Sequence, residues 1–362
     1  MRWPTICIGL IAGLGTVAGQ AATRQLNIYN WADFIGDNTI ADFEKTTGIK
    51  VVYDTYDSEE TEETKLMAGG SGYDVVVSSS EYFSRGIKAG VYVPLDRRRL
   101  PGWQNLNAHA LENIAHADPG NRYAVPYLHS INGFAYNVDM IRARMPNAPV
   151  DSLDMIFKPE VIAQFADCGV TFLDSADDML PLALNYLHLN PNSTNPADYR
   201  AAEQLMKRVR PFIRSFDSSA YLNAMANAEQ CIGVSWSSDY AVSMARARAA
   251  GVKVNLAFTV PKEGANRSYS ALLIPAGAPH LAAAYAFLNF LLQPKVIAAV
   301  TNDIYYGNDN AAANAYVAPK ILSDLTLYPN LAMEARLYPA NEASVAIARI
   351  RTRSWTRIKT DH

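Results

Sequence analysis

The chain has 362 residues, of which 49% are hydrophobic and 19% charged, and its formal net charge at pH 7 is −3. A mildly acidic chain of this kind gives no reason to expect nucleic acid or an anionic membrane surface as a partner. The length is sufficient for two α/β lobes that each bury a core of their own.

The first residues have the layout of a secretory signal peptide. Arg2 is the only charge before Arg24, an apolar stretch occupies residues 6–17, and Ala21 offers a small residue at a cleavage point. We predict that residues 1–21 are removed, which leaves 31 basic and 35 acidic side chains. The apolar stretch is too short for a membrane span, although a membrane anchor remains the alternative interpretation.

Strand and helix patterns alternate from the start of the mature chain. Alternating and β-branched residues predict strands at residues 26–29, 50–53 and 74–77. Helical spacing of apolar residues and clustered glutamates predict helices at residues 38–46 and 58–67. Repeated βα units favour a mostly parallel sheet flanked by helices.

Two short motifs each combine an indole with a carboxylate. Trp31 with Asp33 and Trp236 with Asp239 lie about two hundred residues apart, and each pair follows a short apolar segment. An indole face attracts an alkylammonium through its quadrupole, and a neighbouring carboxylate supplies charge and hydrogen-bond acceptors. Because neither group reacts with the cation, the two motifs indicate a binding site for an organic amine, formed by two distant parts of the chain.

Other chemistries have less support in the residues. Ser79 follows a predicted strand, but the Gly-x-Ser-x-Gly elbow of a serine hydrolase is absent and the scattered histidines provide no obvious base, so a polar ligand contact is the preferred role. Those histidines also lack metal-ligand spacing. Tyr305 and Tyr306 leave capture of ferric iron as a competitor, although iron has no need of the two tryptophans. We predict no enzyme activity, no metal and no cofactor.

Two of the three cysteines remain in the mature chain. Cys7 lies in the predicted signal peptide, and Cys168 and Cys231 form an even number in an oxidising compartment. We therefore predict a disulfide, with two separately buried thiols as the alternative.

Several segments match one known family, in its order, over nearly the whole mature chain. They are residues 30–35, 48–54, 65–69, 184–187, 190–193, 261–264 and 351–356. On these segments the chain resembles the periplasmic putrescine- and spermidine-binding proteins of polyamine ABC importers, and it is most like the putrescine-binding branch. The resemblance also matches Cys168 and Cys231 to a disulfide pair of that branch.

The resemblance implies the type II fold of periplasmic solute-binding proteins, in which two α/β lobes enclose a ligand cleft. Lobe 1 would hold residues 24–130 and 266–312, and lobe 2 residues 131–265 and 313–362. A ligand that touches both lobes biases the protein toward the closed state, which the permease can recognise. We expect a periplasmic monomer that delivers an amine to permease subunits in the inner membrane. The alternative is an amine sensor for a membrane signalling protein.

The resemblance further implies ten ligand-binding positions, in which rings hold the methylene stem, carboxylates neutralise the cationic groups and hydroxyls add polar contacts. They are Trp31, Asp33, Phe34, Ser79, Asp178, Trp236, Asp239, Ser268, Ser270 and Tyr306. The family has a tyrosine at position 34 and a glutamate at position 178, so Phe34 and Asp178 are mild departures.

Ser268 and Ser270 are larger departures, because the family has an aromatic residue and an aspartate there. The ligand could therefore be putrescine, spermidine, a related amine or a zwitterion. If the segment is a strand, Arg267 and Tyr269 face away from Ser268 and Ser270, and Arg267 is then a solvated surface residue. If Arg267 enters the cleft, a ligand with a carboxylate becomes plausible.

Overall fold

The computed structural model describes residues 24–56 and 58–360, so the predicted signal peptide lies outside the described residues. The strands are β1 Gln25–Trp31, β2 Lys50–Tyr56, β3 Val75–Ser79, β4 Val125–Asn137, β5 Val170–Phe172, β6 Ser215–Phe216, β7 Ile232–Trp236, β8 Leu256–Thr259, β9 Ala265–Leu273, β10 Gly307–Asn308 and β11 Leu337–Pro339. The α-helices are α1 Thr39–Thr47, α2 Glu59–Met67, α3 Ser80–Lys88, α4 Ala108–Ile114, α5 Val138–Arg144, α6 Asp154–Phe157, α7 Pro159–Ile162, α8 Ala176–Tyr186, α9 Pro196–Val209, α10 Tyr221–Ala226, α11 Asp239–Ala249, α12 Leu281–Leu291, α13 Pro294–Ile304, α14 Pro319–Leu322, α15 Leu331–Glu334 and α16 Val345–Thr360.

The first five elements confirm the predicted order of strands and helices, with boundaries that differ by at most three residues. Helix α1 ends at Gly48, whose left-handed backbone (φ 69°) lets its N–H bond to the Glu44 carbonyl. Helix α2 begins after Ser58, whose side chain accepts a hydrogen bond from the Thr61 N–H. These local signals explain why the elements start and stop where they do.

The strands form one continuous sheet in the order β2-β1-β3-β9-β4-β7-β5-β6. Strand β1 runs parallel to β2 and β3 on one side, and β5 runs parallel to β6 and β7 on the other. Between these two parallel parts, β4 pairs antiparallel with β9 through its first half and with β7 through its second half. The predicted parallel βα units are therefore present on both sides of a pair of antiparallel strands that passes between them.

Two separate sets of hydrophobic cores lie on either side of these strands. One set gathers side chains from Leu26 to Leu128 and from Tyr269 to Leu327. The other gathers side chains from Phe134 to Leu256 together with Ile347, Trp355 and Ile358. The strands on each side thus have their own helices and their own core, which is the predicted α/β architecture of two lobes.

Buried side chains that follow α13 extend the first core. Val317, Ile321 and Leu327 pack there, and the apolar side of α14 is buried against this core. The Leu327 carbonyl also bonds to Nε2 of His129, a buried residue of β4, at 2.9 Å. The division of the chain between the lobes, with residues 313–362 in the second, stays a prediction.

Helices α12 and α13 belong to the first core. Phe287 and Leu288 of α12 are fully buried there. Within residues 24–56 and 58–360, no single helix is long and apolar enough to span a membrane. Helices α12 and α13 reach that length and composition only as a pair, and they are bent by 74° at the break between them.

The predicted disulfide is present between Cys168 and Cys231, whose Cα atoms are 5.6 Å apart. Cys168 lies two residues before β5, and Cys231 immediately precedes β7. Because β5 and β7 are neighbours in the sheet, the bond ties together the starts of two paired strands. The alternative of two free thiols is thereby excluded for this structure.

Candidate functional site

The two tryptophans end two strands that belong to different lobes. Trp31 is the last residue of β1 and Trp236 the last residue of β7, and both are partly buried. Ligands in open α/β sheets collect at the carboxyl ends of strands. The indole of Trp31 packs against the Tyr56 ring with centroids 4.6 Å apart, which fixes the orientation of the indole.

The first lobe supplies a second group of aromatic rings. The rings of Phe34 and Tyr306 meet edge to face with centroids 4.7 Å apart. The Phe34 carbonyl accepts a hydrogen bond from the buried Tyr127 hydroxyl at 3.1 Å. Tyr305, with φ 60°, ends α13 in the left-handed conformation and turns the chain into Tyr306. Phe34 and Tyr306, which were both predicted as ligand residues from the sequence, are therefore in direct contact with each other.

Asp239 is a buried carboxylate at the first position of α11. Its Oδ2 accepts hydrogen bonds from the Tyr221 hydroxyl and from the Trp236 N–H, the latter at 3.3 Å. Burial raises the pKa of Asp239 to about 6, against the opposing effect of these donors. The charge of Asp239 also adds to burial in raising the pKa of Tyr306. Asp239 of the second lobe and Tyr306 of the first lobe are thus electrostatic neighbours.

Asp178 lies in the first turn of α8, and its Oδ1 accepts a hydrogen bond from the Asn132 amide at 2.7 Å. Loss of hydration raises the pKa of Asp178, and the groups that oppose this rise are the neutral donors of Asn132, Ser175 and Trp236. No described residue forms an ion pair with Asp178. The carboxylate is therefore partly withdrawn from water without a positive partner, an arrangement that a bound cation would complete.

Asp33 has a different environment from the other two acids. Its side chain is 90% exposed, and the nearest basic atom is Nη2 of Arg246 at 3.8 Å. Arg246 belongs to α11 in the second lobe, so the pair faces across the junction of the lobes. The structure places Asp33 at the rim, apart from the partly buried carboxylate of Asp178 and the buried carboxylate of Asp239.

The predicted serines lie on two neighbouring strands, β3 of the first lobe and β9, which passes between the lobes. Ser79 ends β3 opposite Ser270 of β9, and the Ser79 N–H donates to Oε1 of Glu59 at 3.1 Å. Ser268 lies opposite Ser130 of β4. Ser268 and Ser270 are partly exposed, whereas their neighbours on β9 are buried, as expected for an alternating strand.

Arg267 lies on the buried side of β9, which corrects one interpretation of the sequence. It is 7% exposed, its Nη1 contacts Oε1 of Glu334 at 2.5 Å, and its guanidinium lies 4.9 Å from the Tyr269 ring centroid. The prediction that Arg267 faces away from Ser268 and Ser270 is confirmed. The prediction of a solvated surface arginine is wrong, because Glu334 and Tyr269 provide a buried partner set that was not visible in the sequence.

Several residues that complete the site escaped sequence analysis. They are the partners of the three acids, Asn132, Tyr221 and Arg246, and two glutamates near Ser79, the buried Glu59 and the partly buried Glu81. Asn132 and Asp178 are 46 positions apart, and no local pattern connects them. Glu81, by contrast, lies two residues after Ser79, and a search for acids beside the predicted ligand residues would have found it.

Glu59 and Glu62 of α2 predict a pH dependence of stability. Burial raises the pKa of both carboxyls, and the charge of Glu59 raises that of Glu62 further. Because the native state then holds protons that the unfolded state has lost, the free energy of unfolding of the ligand-free protein should fall as the pH rises from 5 to 8.

We expect Glu62→Gln, which cannot ionise, to reduce this loss by about 1 kcal/mol or more, measured by denaturant unfolding across that pH range. Glu112→Gln is the matched control, because the Glu112 side chain is 78% exposed. Equal pH slopes in the wild type and Glu62→Gln would contradict this account.

Two α/β lobes joined by long shared strands, with rings and enclosed carboxylates where the strands end, define the class of two-lobed solute-binding proteins. The model of the family described as bacterial extracellular solute-binding protein matches residues 38–328. The chain belongs to this family.

Similar proteins extend over nearly the full length. The chain is 43% identical to the putrescine-binding periplasmic protein SpuD of Pseudomonas aeruginosa, over 96% of this chain and 95% of that protein. It is 42% identical to the putrescine-binding periplasmic protein PotF of Escherichia coli, over 97% of each. The solved structure of PotD, a spermidine/putrescine ABC transporter substrate-binding protein of Streptococcus pneumoniae, superposes with a TM-score of 0.79 at 25% identity. The superposition covers 93% of this chain and 98% of the PotD chain. The predicted resemblance to the putrescine- and spermidine-binding proteins is confirmed.

Proposed function

We propose that the protein captures a polyamine in the periplasm and delivers it to the permease of an ABC importer, without converting it. The similar proteins are named as putrescine- or spermidine-binding periplasmic proteins, and the likeness covers nearly all of each chain. The observation that carries the proposal is the pair of enclosed carboxylates, Asp178 and Asp239, whose hydrogen-bond donors are mostly neutral groups.

The proposed binding mode assigns a role to each part of the site. Asp178 and Asp239 bind the ammonium groups, and the rings of Trp31, Trp236 and Tyr306 enclose the methylene stem. Burial of a four-carbon stem contributes about 3 kcal/mol at roughly 0.8 kcal/mol per methylene, so charge pairing must supply much of the affinity. Phe34 supports Tyr306, and Ser79 adds a polar contact from the first lobe.

The lobe arrangement suggests how capture could be reported to a partner. We propose that β4 and β9 link the lobes, that the first lobe extends to Leu327, and that the second contains the segment from Phe134 to Leu256 with α16. A ligand held by residues of both lobes would favour the closed state through its contacts in that state alone. The permease could then distinguish loaded from empty protein by shape.

Isothermal titration of the mature protein tests the proposal, with putrescine, spermidine, agmatine and glutamate as ligands. We expect at least one of the three amines to bind with micromolar or tighter affinity and to be recovered unchanged after incubation. Binding of glutamate alone would contradict the amine assignment. Conversion of any amine during the incubation would contradict a role limited to capture.

Ser270 offers a gain-of-function test of the same cleft. Ser270→Asp places a carboxylate on the partly exposed side of β9, opposite Ser79. A charge-assisted hydrogen bond contributes roughly 1.5–3 kcal/mol, so we expect putrescine affinity to rise about ten- to a hundredfold, measured by titration calorimetry.

The control for added negative charge is Ser323→Asp, at an exposed position after α14. An equal change in affinity for both variants would mean that net charge, rather than a local contact, is responsible. No change for Ser270→Asp would remove position 270 from the cleft.

A further inference from the structure

A buried histidine lies in the first half of β4, one of the strands that pass between the lobes. His129 pairs with residues of both β9 and β10, and its side chain is only 4% exposed. Its Nδ1 lies 2.7 Å from Oδ1 of Asp309, and its Nε2 lies 2.9 Å from the Leu327 carbonyl oxygen. The imidazole therefore connects three segments that are far apart in the sequence.

Both hydrogen-bond partners of this imidazole are acceptors. A backbone carbonyl never donates, and an ionised carboxylate has only acceptor oxygens. A neutral imidazole carries one N–H, so it can donate to one of the two partners and must turn a lone pair toward the other. An imidazolium donates to both. A proton on Asp309 would also allow two bonds, but an imidazole is a stronger base than a carboxylate, so we place the proton on His129.

The carboxylate of Asp309 supplies the counterion that an imidazolium needs. Asp309 is 1% exposed, and its Oδ2 has no hydrogen-bond partner among the described residues. A buried carboxylate without a positive partner loses its hydration and gains nothing in return. A neutral His129 beside an ionised Asp309 is therefore unfavourable, whereas the ion pair keeps the buried site electrically neutral.

Other ionisable groups near the imidazole do not change this balance. The ring centroids of Tyr269 in β9 and of Tyr328 lie 6.0 and 6.1 Å from that of His129. Burial raises the pKa of both tyrosines, so both are neutral at pH 7. Arg267 of β9 and Glu334 of α15 pair with each other. Among the described residues, Asp309 is the one ionisable group that bonds to the imidazole.

The ion pair holds β10, a strand of only two residues. Its first residue, Gly307, pairs with His129 in antiparallel register. A side chain at position 307 would collide with the imidazole and with the Leu327 carbonyl, so the glycine allows all three groups to meet. Because so short a strand makes few backbone hydrogen bonds, the bond from His129 to Asp309, the residue after β10, adds substantially to its attachment.

Tyr306 immediately precedes this strand. Its ring packs edge to face on Phe34 with centroids 4.7 Å apart, and the proposed function places the ring in the amine cleft. Just before it, Tyr305 turns the chain with φ 60°. Because Tyr306 lies between this turn and β10, the attachment of β10 to β4 sets where the Tyr306 ring can lie.

We propose that His129 is an imidazolium and a positioning residue, which holds β10 through Asp309 and Leu327 and thereby fixes the Tyr306 ring in the cleft. The effect on ligand binding rests on the proposed function, whereas the charge on His129 does not. The protonated ring makes two hydrogen bonds where the neutral ring makes one. Loss of the proton therefore loosens the Tyr306 side of the cleft without any change in the residues that touch the ligand.

NMR measures the charge on His129 directly. Long-range proton–nitrogen correlation spectra of the ligand-free mature protein distinguish an imidazolium, with a proton on both nitrogens, from a neutral ring with one. The His129 signals are those that disappear in His129→Gln. We expect both nitrogens of His129 to be protonated at pH 7 in the wild type.

Asp309→Asn removes the counterion and keeps the shape of the side chain. We expect a neutral His129 in this variant, because the asparagine amide can donate to Nδ1 while Nε2–H still donates to the Leu327 carbonyl. A neutral His129 in the wild type, or a doubly protonated one in Asp309→Asn, would overturn the assignment of an ion pair.

Titration calorimetry with putrescine tests the positioning role. We expect His129→Gln to weaken binding about tenfold or more, because it frees β10 and leaves Asp309 buried without a counterion. The double substitution of His129→Gln with Asp309→Asn removes that charge, so it should recover part of the affinity but stay weaker than the wild type. His109→Gln is the control, since the His109 side chain is 54% exposed, and it should bind as the wild type does.

The outcomes separate this inference from the function on which it rests. If the wild type binds no amine, the proposed function fails, and the charge on His129 with the Tyr306 ring signals of the ligand-free variants still decides the inference. Wild-type affinity and unchanged Tyr306 signals in His129→Gln would overturn the positioning role. If thermal unfolding shows that His129→Gln does not fold, the double variant, which buries no unpaired charge, replaces it with the same criteria.

Discussion

Asp239→Asn is expected to weaken putrescine binding by about 2–5 kcal/mol, or roughly 30- to 5,000-fold, in titration calorimetry. The substitution keeps the shape of the side chain and removes only the charge. Two donors to Asp239, the Tyr221 hydroxyl and the Trp236 N–H, bond to the same oxygen, Oδ2, and the Tyr306 hydroxyl is a third hydrogen-bond partner. An asparagine oxygen in the place of Oδ2 can accept the first two hydrogen bonds, so most of the local structure should persist.

The stability of the ligand-free protein should move in the opposite direction. Burial raises the pKa of Asp239 to about 6, above its ordinary value of 3.8, so ionisation of Asp239 costs folding free energy at pH 8. Asp239→Asn avoids that cost and should unfold at the same or a higher temperature than the wild type. Weaker binding with equal or greater stability separates a ligand role from a structural role.

The control is Asp151→Asn, which removes a charge from the same lobe at a side chain that is 71% exposed. Asp151→Asn should bind putrescine as the wild type does. If Asp239→Asn and Asp151→Asn have the same dissociation constant for putrescine, Asp239 does not contact the amine. The role proposed for the most buried carboxylate of the cleft is then wrong.

Removal of the disulfide should lower the free energy of unfolding more than any other substitution named above. Cys168 and Cys231 are separated by 63 positions, and for a loop of that length the chain-entropy model gives about 4 kcal/mol. The double substitution Cys168→Ser and Cys231→Ser should therefore lower the unfolding midpoint of the mature protein by several degrees or more. Thermal unfolding followed by circular dichroism or calorimetry measures the change.

Reduction of the wild type supplies the control for this comparison. With excess reductant, the wild-type midpoint should fall to that of the double variant, and the double variant should not respond to reductant. Both forms should still bind putrescine at low temperature, because the bond ties the starts of β5 and β7, away from the strand end at Trp236. An unchanged midpoint in the double variant would mean that the bond adds nothing to the unfolding equilibrium.

The local elements of the first lobe were predictable because their signals are local. Alternating and β-branched residues placed β1, β2 and β3, and the cap residues Ser58 and Gly48 lie at the ends of α2 and α1. These features depend on residues a few positions apart. The antiparallel register of β4 with β9 was not predictable in this way, because it joins segments more than a hundred residues apart.

The candidate site shows the same division between local and long-range information. The alternation of β9 predicted correctly that Arg267 faces away from Ser268 and Ser270. The partner of Arg267, Glu334, comes from a helix 67 positions later, so the sequence suggested a solvated arginine where the fold buries the arginine and pairs it with a partly exposed glutamate.

The sequence by itself determined the order of the first five strands and helices, the cysteine pair and the residue types that attract an amine, because each depends on composition or on spacing along the chain. Tertiary structure alone decided that Asp239 is enclosed while Asp33 stays at the rim. Burial depends on which distant segments cover a side chain. That coverage sets both the pKa of each carboxylate and the ligand that it can hold.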